Sequence, residues 1–136
     1  MTQWAQSLIR LSTYEVEELQ KRLADITARR ASCEMRIATL DAEQEIELDR
    51  ARADGDAAML LNAYLGGWKV RRAVAETALA TAETEEAGAR DALGAAFEEL
   101  KKFEHVAEAS RLSVLAAQAR RETAAFDEIA LRRKAG

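Results

Sequence analysis

From Ile9 onward, Ile9, Ser12, Val16, Leu19, Leu23, Ile26, Arg30, Cys33, Ile37 and Leu40 follow one another at alternating spacings of three and four. That spacing brings every member to one side of an α-helix and is the repeat by which helices wind around each other. A second stripe with the same rhythm runs through Leu61, Leu65, Trp68, Arg72, Ala75, Leu79, Ala82, Glu86, Ala89, Leu93, Ala96, Leu100 and Phe103. There is no proline to break either run, and aromatic residues make up only 5% of the chain against 32% charged. Too few large side chains are available for a round core, so a thin helical seam is expected. The fold class implied is all-α: a long two-helix antiparallel coiled-coil hairpin, one domain over residues 1–136.

The break between the stripes falls at Ala53, Asp54, Gly55, Asp56 and Ala57. Gly55 can take the positive φ that ends a helix, and Asp56 can cap the next one. This gives helix 1 over about 3–53, a turn over about 54–56 and helix 2 over about 57–133. In that register Leu19 faces Leu93, Val16 faces Ala96, Cys33 faces Leu79 and Ile9 faces Phe103. Large side chains meet small ones, which lets the backbones approach closely. Arg30 and Glu86 stand inside the seam on opposite helices, as a register-fixing pair or as a snorkelling arginine. A rival turn at Gly66 and Gly67 would make the arms nearly equal. With the turn at Gly55, helix 2 outruns helix 1 from near Ala107 and ends in a tail without an intrachain partner.

No catalytic constellation is visible. The single histidine, His105, lies beside Glu104 and Glu108 but lacks the second histidine of a di-metal helix-bundle site. Gly66 and Gly67 are followed by Trp68 and Lys69, without the spacing of a phosphate-binding loop. Glu83, Glu85 and Glu86 read as a hydrated face. No enzyme activity, cofactor or metal is therefore expected. A formal net charge of -4 and a pI near 5.2 argue against nucleic-acid binding by phosphate neutralisation. The lone Cys33 cannot form an intrachain disulfide and suits a reducing compartment. The first eleven residues lack the apolar run of a signal peptide, and no stretch approaches the roughly 20 apolar residues of a membrane span. A soluble cytoplasmic protein is expected.

Two places look suited to partners. Tyr64, Leu65 and Trp68 lie where the seam weakens towards the turn, either as a docking surface or as the closing layer of the core. On the tail, Arg120, Arg121, Phe126, Ile129, Leu131, Arg132 and Arg133 mix basic and apolar residues, a combination that suits a partner with acidic walls.

Two stretches carry a family resemblance. The run from Leu8 through Ser12, Tyr14 and Val16 to Glu18 is similar to the opening helix of the flagellar type III export protein family FliJ. The run Phe126, Asp127, Glu128, Ile129, Ala130, Leu131, Arg132, Arg133 resembles that family's closing segment. Between them, Asn62, Tyr64 and Leu65 resemble the start of its second helix, although the pair Gly66 and Gly67 departs from the pattern. The repeats alone also fit a generic coiled-coil adaptor or structural scaffold unrelated to secretion; the resemblance implies a non-enzymatic component of the flagellar export apparatus, shaped like the central stalk of rotary ATPases. Its partners would be the export ATPase ring, the cytoplasmic domain of the membrane export gate, and export chaperones. The implied placement puts Arg10, Arg120, Arg121, Arg132 and Arg133 at the ring and Tyr64, Leu65 and Trp68 at the gate. The protein would sit in the cytoplasm, peripheral to the membrane-embedded apparatus, with neither nucleic-acid binding nor membrane insertion.

Overall fold

A computed structural model describes residues 2–135, and these form two helices, α1 over Thr2–Ala53 and α2 over Gly55–Ala135. The fold is the all-α hairpin that the two repeats imply, with α2 the longer arm. Every residue named above on either stripe is buried or half-buried. The reason is geometric: a strict 3–4 repeat keeps one strip of the helix facing its neighbour over many turns, whatever the residue at each step. Alanines therefore supply much of the core, Ala75, Ala82, Ala89 and Ala96 among them.

The chain divides into two structural units. In the unit Glu18–Leu93 the pairing is fixed by polar ties at three heights. Nearest the turn, the Trp68 indole N–H donates to the Leu40 carbonyl at 2.7 Å, and Arg72 bonds both carboxylate oxygens of Asp41 at 2.8 and 3.2 Å. Farther away, Arg30 Nε donates to Glu86 at 2.9 Å and Arg29 to Glu85 at 2.5 Å. As the residue number falls in α1 it rises in α2, so the helices are antiparallel. Leu40 lies beside Trp68, not opposite Leu93, and Gly66 and Gly67 lie within α2; this excludes the rival turn.

The unit of residues 2–17 and 94–135 repeats the large-to-small packing. Val16 and Ser12 of α1 and Ala96 of α2 are buried, and Ala5, Gln6 and Ile9 share a groove with Glu104, Ala107, Glu108, Ser110 and Arg111. Ala107 and Ser110 are still half-buried, so the unpaired part of α2 begins near Arg111, about one helical turn later than the sequence suggested.

The turn chemistry differs from expectation. None of the described residues has positive φ, Gly55 is the first residue of α2, and Asp54, not Asp56, is the cap. The Asp54 carboxylate accepts the Asp56 N–H at 3.0 Å, while its own N–H donates to the Arg50 carbonyl at 3.0 Å. One residue thus closes α1 and opens α2, leaving Asp56 to favour the positive end of the α2 dipole. Asp54→Ala is expected to cost about 1 kcal/mol of stability. Gly55→Ala is expected to stabilise by up to about 1 kcal/mol, because an added methyl meets nothing within 4 Å. Urea unfolding of both variants checks this; a clear loss for Gly55→Ala would mean that the turn needs glycine after all.

Candidate partner-binding surfaces

Tyr64, Leu65 and Trp68 are all half-buried, on the side of α2 that meets α1. Trp68 is the most constrained. Its N–H is spent on the Leu40 carbonyl, which has a second lone pair available beyond its helical hydrogen bond. The Arg72 guanidinium stacks over its ring at 5.8 Å while holding Asp41. Arg71 covers the Tyr64 ring at 5.7 Å, and the Tyr64 hydroxyl is buried without a hydrogen-bond partner among the described residues. Trp68 therefore helps to close the core, and Tyr64 and Leu65 stand half-exposed beside it. Met59 and Leu60, one turn away, are far more exposed, and the sequence reading passed over them.

Ion pairs polarise the same unit. Its hydrogen bond to Arg30, with Thr27 and Arg90 adding to it, holds the Glu86 carboxyl below the ordinary carboxylate range against the opposing effect of burial. Arg72 does the same for Asp41. Both folded-state values lie below the unfolded ones. Their contribution to stability is therefore complete above the ordinary carboxylate range and lost as pH falls through the depressed folded values. The melting temperature should stay level from neutral pH to about pH 5 and fall below it. The gap between wild type and Glu86→Gln should narrow over that acid range in circular-dichroism melts. A gap of constant size down to about pH 3 would contradict the pairing.

In the other unit, residues 111–135 continue α2 as an exposed helix, Ala117 alone being half-buried. Arg120, Arg121, Arg132 and Arg133 are all exposed, as are Phe126 at 70%, Ile129 and Leu131. Among the described residues, Arg132 is the one of these arginines that is tied down, to Glu128 at 2.9 Å one turn away. Residues 111–134 hold six basic residues against three acidic ones in a chain of net charge -4. Exposed Leu112, Val114 and Leu115 extend the apolar character towards the groove, and sequence reading had not singled them out. The signal was present: Leu112, Leu115, Ala119, Glu122, Phe126 and Ile129 again step by three and four. Arg10 is exposed but is not brought to the tail arginines. Its neighbour Ile9 lines the groove with Ala107, and Arg120 stands 13 residues farther along α2, about 20 Å away along the axis.

No helix among the described residues is long and apolar enough to cross a membrane. Comparison with known proteins gives a consistent result. Residues 5–136 match the family model described as Flagellar FliJ protein. Two curated relatives carry that same name, from Caulobacter vibrioides strains NA1000 / CB15N and CB 15. Each is 50% identical over 135 residues, covering 99% of this chain and 97% of the relative. No solved structure matches the chain. A helical hairpin with a basic, apolar overhanging helix, matched from near its first residue to its last, belongs to the flagellar FliJ protein family.

Proposed function

We propose that this flagellar protein is a non-enzymatic, stalk-like component of the type III export apparatus. It engages the export ATPase ring through the overhanging part of α2 and links the ring to the export gate and to export chaperones. The observation that carries the reading is the run of residues 111–135, a helix exposed on nearly all sides that bears Phe126, Ile129, Leu131 and five arginines. Large apolar side chains left in water between guanidinium groups are costly to display unless a partner covers them. An acidic, apolar-walled channel at the centre of an ATPase ring has the complementary chemistry. Arg10, on α1, contributes at the mouth of such a channel and not inside it, given its distance from the tail. Tyr64 and Leu65, with Trp68 behind them, form the gate-facing element in this reading. The protein works in the cytoplasm beside the membrane-embedded apparatus.

A pull-down with two baits tests the reading. The purified chain should be retained by the export ATPase and, separately, by the cytoplasmic domain of the export gate. Phe126→Asp combined with Ile129→Asp should abolish retention by the ATPase and preserve retention by the gate domain. A chain held by neither bait overturns the proposal, and equal loss on both baits would show that the two contacts are not separate.

A further inference from the structure

We propose that the face of α2 turned away from α1, over residues 59–88, is a self-association surface on which a second copy of this chain packs antiparallel about a two-fold axis near Thr77. Within the unit Glu18–Leu93, α2 is apolar on two opposite sides. One side meets α1. The other carries its own repeat of three and four, through Leu60, Val70, Val74, Thr77, Thr81 and Thr84, with only glycine and alanine at the remaining steps. No residue on that face bears a charge over about 44 Å of helix, in a chain that is 32% charged. All of it is exposed, Val70 at 65% and Val74 at 66%. A solvated helix face is normally where the charges go, so an uncharged one of this length reads as covered.

The charges along its two edges identify the occupant. Lys69 and Glu83 stand on one edge, and Arg71 and Glu85 on the other, each pair two heptads apart. When two helices pack antiparallel about a two-fold axis, like edges meet. Lys69 then meets Glu83 of the second copy, and Arg71 meets Glu85 of the second copy, each contact occurring twice. The midpoints of these pairs fall at residues 76 to 78. The apolar repeat has the same centre, because Val70 then faces Thr84 of the second copy and Thr77 faces its own counterpart. Packing symmetry and charge symmetry thus share one axis. Glu76, the one acid near the axis, is already bonded by Arg72 of its own chain. Among the described residues neither Lys69 nor Glu83 forms an ion pair within the chain, whereas Glu85 is held by Arg29. A parallel pairing would put acid beside acid and base beside base. Gly66 and Gly67 allow close approach on this side, since nothing lies within 4 Å of where their methyl groups would be.

Sedimentation of the full chain across the micromolar range tests this with single charge reversals that disturb no intrachain ion pair. The wild type should dimerise, and Lys69→Glu or Glu83→Lys alone should each weaken the dimer by about tenfold, because two symmetric contacts turn repulsive. The double variant, and an equimolar mixture of the two single variants, should restore the wild-type constant within a factor of about three, since every contact is again between opposite charges. Circular dichroism should show unchanged helicity throughout. A wild type that stays monomeric overturns the proposal and leaves this face to a different partner. Dimers indifferent to the reversals, or weakening that the double variant and the mixture fail to reverse, place self-association elsewhere and equally overturn it.

Discussion

Leu40→Ala is expected to lower the unfolding free energy by about 3 kcal/mol, the largest loss from any single apolar truncation in α1. Leu40 is 0% exposed and is the one large side chain of the described residues that is fully enclosed. The layer around it is tied from both sides, by the Trp68 indole on its carbonyl and by Arg72 on Asp41, so it cannot readily collapse around a cavity. Leu23, on the same repeat, is half-buried, and Leu23→Ala should cost less, near 2 kcal/mol. Trp68→Phe keeps most of the ring and removes the N–H, isolating a hydrogen bond worth about 1 kcal/mol. Glu18→Ala is the exposed control, expected within about 0.5 kcal/mol of wild type. Chemical denaturation measures all four. A Leu40→Ala variant as stable as the Glu18 control would mean that the hairpin is not packed at this layer.

The helical hairpin was legible because its signal is redundant: more than twenty positions repeat one spacing, and a single misplaced residue cannot displace the rest. The register was legible for a related reason. Arg30 is the one charge on the first stripe and Glu86 the one acid on the second, and two opposite charges one layer apart on opposite helices find each other. The cap was misassigned because Asp54 and Asp56 have equal capping chemistry and flank a glycine, so composition cannot separate them. What separates them is whether the chain needs a positive φ there, a property of the closed hairpin. The Trp68 hydrogen bond was hidden for a different reason, since its acceptor is a main-chain carbonyl that any residue at position 40 would supply. The outer face of α2 escaped notice because its repeat lies opposite the seam on the same helix. Two opposed apolar stripes cancel in any measure of one-sidedness and look like a uniformly mild sequence.

The tail rests on a different kind of inference. Its arginines and apolar residues are exposed, as the sequence suggested, but exposure describes what a surface offers and not what accepts it. The expectation follows from charge and geometry together. Reversing Arg120, Arg121, Arg132 and Arg133 to glutamate changes the sign of the segment without touching the seam, because all four are exposed and the one ion pair lost among the described residues, Arg132 with Glu128, is a surface pair worth at most about 1 kcal/mol. Helicity and melting temperature should barely change. Binding to an acidic channel should fall steeply, through repulsion and the loss of encounter steering, and the remaining binding should depend differently on salt.

The direct measurement is a titration of export-ATPase turnover with the full chain, comparing wild type, this four-arginine reversal, and a charge-matched reversal of Arg22, Arg36, Arg50 and Arg52 on α1. The account predicts that wild type and the α1 reversal stimulate turnover alike, while the tail reversal loses most of the stimulation and still melts as the wild type does. Full stimulation by the tail reversal would contradict the assignment of residues 111–135 to the ATPase, and equal failure of both reversals would show that net charge alone had been measured.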